Sequence, residues 1–103
     1  MTLDQIKESS EKEIKNFYVQ CFPDLDTVHE EDILYSAQAL ATYCEDLYKE
    51  TEDPFYLERG NVLRAMLRSS CRFTDYGIVA SYCYETAVRM KRRLSKNESH
   101  SRD

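Results

Sequence analysis

The sequence predicts an all-α protein, a small antiparallel bundle of four helices built as two helical hairpins. Three observations carry that expectation. Only two glycines and two prolines occur in 103 residues, too few turn-makers for the frequent reversals of an all-β chain. Apolar residues recur at steps of three and four in four segments, the period of a helix that buries one face. Proline with capping residues punctuates the chain at Pro23 and at Asp53-Pro54, as expected between helices. Hydrophobic residues make up 42% and charged residues 32% of the chain. That is enough apolar matter for one modest core, so a single helical domain is expected over 1–96, with a flexible polar tail at 97–103.

The first helix is expected from about Leu3 to Cys21, opened by Thr2 and Gln5 at capping-box spacing. Its apolar side reads Leu3, Ile6, Ile14, Phe17 and Cys21, with Ser10 interrupting the stripe. Pro23 bars continuation, and Thr27 with Glu30 forms a second capping box. Helix two, about Val28 to Glu50, is the best patterned: Ile33, Ala37, Leu40, Cys44 and Leu47 form one stripe. Its small members permit close approach of a neighbour. Asp53 and Pro54 make a strong start for helix three, about Pro54 to Arg72. There Val62, Leu63, Met66, Leu67 and Phe73 share one arc, and Gly60 marks a place for a break or kink. Helix four, about Tyr76 to Lys96, is capped by Thr74 or Asp75 and lined by Tyr76, Val79, Cys83, Ala87, Met90 and Leu94.

The longest stretch without a charge, Ile33 to Cys44, is twelve residues, whereas a bilayer span needs about 20; no membrane association is expected. Met1 to Gln5 shows no basic region followed by an apolar one, and the acids Asp4, Glu8, Glu11 and Glu13 disfavour a presequence. Cys21, Cys44, Cys71 and Cys83 are irregularly spaced singletons, which suits reduced thiols acting as small hydrophobes. The expected setting is therefore a reducing intracellular compartment, cytoplasm or nucleus, with the mitochondrion left open.

Catalysis finds little material. His29 sits in an acidic helix start and His100 in the tail, and Gly60 and Gly77 build no phosphate loop. The cluster Glu30-Glu31-Asp32 is explained by the helix dipole. No pair of cysteines has zinc-ligand spacing. The reading is non-enzymatic, with no cofactor and no metal.

Charge is unevenly distributed. Residues 1–53 carry four basic groups against fourteen acidic ones, a net of −10, and residues 54–103 carry ten against five, a net of +5. Either the two halves face each other within one fold or across a dimer, or the basic half seeks an acidic partner. Eight of the ten late basic groups are arginine, the residue suited to bidentate contacts with carboxylate or phosphate. Arg64, Arg68 and Arg72 repeat at four-residue steps, and Arg89, Arg92 and Arg93 crowd the end of helix four. Eight tyrosines exceed what so small a core needs, and Tyr82 and Tyr84 fall on the same helix as the last arginines. Tyrosine and arginine together are typical interface anchors.

The expected function is a protein–protein interaction module, a small subunit or adaptor of a larger complex. The partner, acidic or a second copy of the chain, would dock on an arginine- and tyrosine-rich face of helices three and four. That face comprises Arg64, Arg68, Arg72, Tyr82, Tyr84, Arg89, Arg92 and Arg93. Nucleic-acid binding by the same rows is the alternative, opposed by a pI near 5.0. Arg92-Arg93-Leu94-Ser95 resembles a substrate site for basophilic kinases, making Ser95 a candidate phosphorylation site.

Two local resemblances complete the reading. Leu63 to Arg68, followed by Arg72-Phe73 and Tyr76, resembles the opening helix of LYR-motif accessory proteins of mitochondrial iron–sulfur assembly and respiratory complexes, although the motif's middle tyrosine is missing. Tyr82 to Glu85 with Arg89-Met90-Lys91 resembles a helix of one subunit of the GINS replication complex, without that family's second domain. Neither extends far enough to assign a family.

Overall fold

The computed structural model describes the backbone of residues 1–19, 30–70 and 76–101, with side chains for 1–18, 33–69 and 77–95. The described chain is almost entirely helical, in five helices rather than four: α1 (Leu3–Glu8), α2 (Glu11–Val19), α3 (Glu30–Thr51), α4 (Pro54–Ser70) and α5 (Tyr76–Ser101). The helix expected over Leu3–Cys21 is therefore two. Thr2 caps α1 through the predicted box with Gln5, and Ser9 leaves the helix in an extended conformation. Ser10 and Glu13 then close a second capping box: the Glu13 amide donates to Ser10 Oγ at 3.1 Å, and the Ser10 amide donates to Glu13 Oε1 at 3.2 Å. Each box satisfies amides that a helix start leaves unpaired.

That break resets the helical phase. Ile6 and Ile14 are buried as predicted, but Tyr18 is buried in place of Phe17, which stays 41% exposed. The Tyr18 hydroxyl and Ser36 Oγ share a buried hydrogen bond of 2.9 Å, so α2 reaches α3 with a satisfied polar tip.

The predicted stripe of α3 is buried without exception: Ile33, Ala37, Leu40, Cys44 and Leu47, joined by Ala41. Glu52, at φ 57°, ends the helix in a left-handed conformation, its amide bonded to the Tyr48 carbonyl. Asp53 then caps α4, accepting from the Phe55 amide at 3.0 Å, with Pro54 as first helical residue. The caps expected at Thr27, Thr74 and Asp75 lie outside the described residues.

Helix α4 runs unbroken through Gly60, so no break occurs at the glycine. Its role is contact: a Cβ there would lie 3.4 Å from Cys44 Cβ and 3.7 Å from the Ala41 carbonyl oxygen. Glycine opposite Ala41 and Cys44 lets the α3–α4 hairpin close tightly. The buried edge of α4 accordingly centres on Tyr56, Gly60 and Leu63, while Val62 and Met66, expected in the core, are half-buried. Phe73 lies outside the described residues.

Helix α5 packs against the other four. Val79, Cys83, Ala87 and Met90 are buried as predicted, together with Ala80, Thr86 and Val88, and Leu94 is half-buried against the core. The α5 backbone is helical to Ser101, past the end expected at Lys96. No helix of the described residues is long and apolar enough to cross a membrane.

Candidate functional site: a basic cleft between α4 and α5

The eight residues expected on one surface divide between different parts of the molecule. Arg64 turns toward α3: its Nε and Nη2 donate to Glu45 Oε2 and Oε1 at 3.2 and 2.8 Å, and Nη2 also donates to Thr42 Oγ1 at 3.2 Å. This fork holds the Glu45 carboxyl below its ordinary range. Arg59, five residues earlier and about 140° around the helix, turns the opposite way, to Glu85 and Thr86 of α5. Arg64 and Arg68 therefore do not border α5. Arg68 is exposed and makes no ion pair among the described residues, and Arg72 lies outside them.

Arg89, Arg92 and Arg93 do converge. With Phe55 they line a shallow cleft of about 350 Å³ between the start of α4 and the second half of α5. Each arginine is held by a carboxylate from a different place. Arg89 pairs with Glu85 one turn earlier at 3.0 Å, Arg92 with Glu11 of α2, and Arg93 with Asp53, the cap of α4. Hydrogen bonding from Arg92 keeps the Glu11 carboxyl below its ordinary range. The Phe55 ring faces two guanidinium groups, Arg93 at 4.1 Å and Arg59 at 5.3 Å from its centroid, so cation–π attraction adds to the ion pairing.

Arg64, Arg92 and Arg93 are thus paired within the chain, each with a carboxylate from residues 1–53, as the first of the two alternatives for the charge asymmetry expects. Part of the charge asymmetry of the sequence is therefore an internal pairing of its halves. Two features still leave cationic character on α5. Glu85 is shared between Arg89 and Arg59, the latter at 3.5 Å, so one carboxylate serves two guanidinium groups. The α5 arginine side chains also stay open to water, 54% exposed for Arg89 and 65% for Arg92, where an ion pair is weak and exchangeable.

Tyr82 adjoins this cleft, and Tyr84 does not. Two residues apart on a helix places them about 160° from each other. The Arg59 guanidinium lies 4.9 Å from the Tyr82 ring centroid, and Tyr82 lines a second depression with Gly77, Ile78, Ser81 and Glu85. Both tyrosines are half-buried against the core, and Tyr84 lies on the other side of the helix from the cleft. Ile78, which the sequence reading passed over, is 56% exposed; its period-four spacing to Tyr82 was the signal that could have found it. Ile78, Tyr82, Glu85, Arg89 and Arg92 thus form one stripe about 21 Å long on the outer side of α5.

The buried thiols are not part of this site. Burial pushes the Cys44 thiol up to about 12, and its Sγ lies 3.9 Å from Met90 Sδ. Cys44 and Cys83 are both buried, and Cys21 and Cys71 lie outside the described residues. No group of three metal-capable side chains comes together among the described residues. Comparison with protein-family models, curated proteins and solved structures found no match, so neither local resemblance has family support.

Proposed function

We propose that this chain is a non-enzymatic interaction module, a small subunit of a larger assembly, that docks an acidic partner segment along the outer side of α5. The observation that carries the reading is the gradation of one helix face. Ile78 and Tyr82 offer apolar and aromatic contact at one end, and Arg89, Arg92 and Arg93 gather around Phe55 at the other. Aromatic rings and arginines set side by side are the usual anchors of interfaces. Arg59 and Arg89 share the single carboxylate of Glu85, so a carboxylate supplied from outside would relieve an internal shortage. An acidic segment fits better than a polyphosphate backbone, because Glu11 and Asp53 already stand beside Arg92 and Arg93 and would repel closely spaced phosphates.

Fluorescence anisotropy with a labelled amphipathic peptide, leucines at one end and glutamates at the other, tests this. Saturable binding is expected, weakened at least about tenfold by Arg89→Glu with Ile78→Ser, a loss typical of interface anchors, and untouched by Arg68→Glu. Equal loss from Arg68→Glu, no binding at all, or preference for single-stranded RNA of equal charge would overturn it.

A further inference from the structure

We propose that Ser95 is a phosphorylation site whose modification loosens the α1–α2 segment from α5. Ser95 is exposed on α5, directly after Leu94, which packs on the core. It follows Arg92-Arg93-Leu94, placing arginines at the two upstream positions that basophilic kinases read, and both side chains are open to solvent, 65% and 43% exposed. In the transfer, Ser95 Oγ attacks the γ-phosphorus of ATP. The bond from that phosphorus to the ADP oxygen breaks, and the hydroxyl proton passes to the kinase's base.

The consequence follows from what lies one turn before Ser95. Lys91 Nζ donates to the Lys7 carbonyl of α1 at 2.9 Å, and Arg92 holds Glu11 of α2 through Nε and Nη2. These two adjacent cations tie α5 to the N-terminal helices through polar contacts. Positions three and four apart on a helix are neighbours, so a phosphate on Ser95 lies within reach of both. Its charge near −2 and three acceptor oxygens compete with Glu11 and the Lys7 carbonyl for the same donors. Ile6, Ile14 and Tyr18 remain buried contacts, so loosening rather than full release is the expected response. The inference shares Arg92 and Arg93 with the docking face but does not rest on that reading, and its test uses no docking partner.

The test treats the full chain, and its Ser95→Ala and Arg92→Ala variants, with a basophilic protein kinase and magnesium ATP. Fragment mass spectrometry and amide hydrogen exchange follow. Phosphate is expected on Ser95, absent from Ser95→Ala and at least about tenfold slower to appear on Arg92→Ala. Amides of α1 and α2 should then exchange about fivefold faster, the effect of losing one exposed ion pair and one hydrogen bond, while α3 and α4 stay unchanged. No incorporation above Ser95→Ala, or modification that leaves α1 and α2 as protected as before, would overturn the proposal. So would equal acceleration across all helices.

Discussion

The two arginine rows read alike in the sequence and behave differently in the fold. Arg64 on α4 is a brace inside one hairpin: its fork closes on Glu45 and Thr42 of the neighbouring α3, and Arg68, one turn on, meets no carboxylate among the described residues. Arg89, Arg92 and Arg93 on α5 instead stand where α2, the α3–α4 connection and α5 meet, and each is tied to a different one. The same residue at similar spacing thus reinforces an existing contact in one case and gathers separate elements around an aromatic ring in the other. Helical period settles which residues share a face. What faces them decides their role.

The largest effect that would sharpen the contrast is in the hairpin. Gly60→Leu should cost about 1–3 kcal/mol by forcing α3 and α4 apart, read as a lowered denaturant midpoint, whereas Ala65→Leu on the exposed side of α4 should stay within about 0.5 kcal/mol. Next comes the ring at the α5 cleft. Phe55→Ala should cost about 2 kcal/mol, roughly half the price of a fully buried phenylalanine, and should shift the NMR signals of Arg59 and Arg93 while leaving Arg64 in place. Smaller again, Arg93→Ala should cost up to about 1 kcal/mol through its ring contact, and Arg64→Ala less, because its partly exposed ion pair is screened and no ring contact is added to it among the described residues. A larger loss for Arg64 than for Arg93 would reverse the comparison.

Acidification gives the smallest and most local effect. Glu11 and Glu45 are held below the ordinary carboxylate range by hydrogen bonds from Arg92 and Arg64. With the folded pKa depressed, their contribution is present above the unfolded value near 4.3 and is lost as pH falls through the folded one. Carboxyl-carbon NMR should show both titrating below that value. Loss of the Glu11 pair should raise the mobility of α2, while the close-packed α3–α4 hairpin stays shut.

Much of this fold was legible in the sequence. The α3 stripe, the Thr2 box and the Asp53-Pro54 start are local patterns, and the structure places them as read. The break at Ser9-Ser10 was legible too, since Ser10 and Glu13 repeat the Thr2–Gln5 spacing, but a single polar residue in a stripe reads equally as an interruption. Tyr18 and Tyr56 were not legible as core. A tyrosine's burial depends on neighbours distant in sequence, such as Ser36 for the Tyr18 hydroxyl, and the Tyr56 hydroxyl is buried without a hydrogen-bond partner among the described residues. The arginine rows were visible as rows. Their partners, from Glu11 to Asp53, were not, because pairing across some 80 residues is a property of tertiary packing.

The most direct measurement is chemical-shift mapping of the intact chain during titration with the leucine- and glutamate-bearing peptide. Progressive shifts confined to Ile78, Tyr82, Arg89, Arg92, Arg93 and Phe55 are predicted, with Arg64, Arg68 and the outer side of α3 unmoved. Shifts centred on Arg64 and Arg68, with the α5 stripe silent, would contradict the assignment of the docking face.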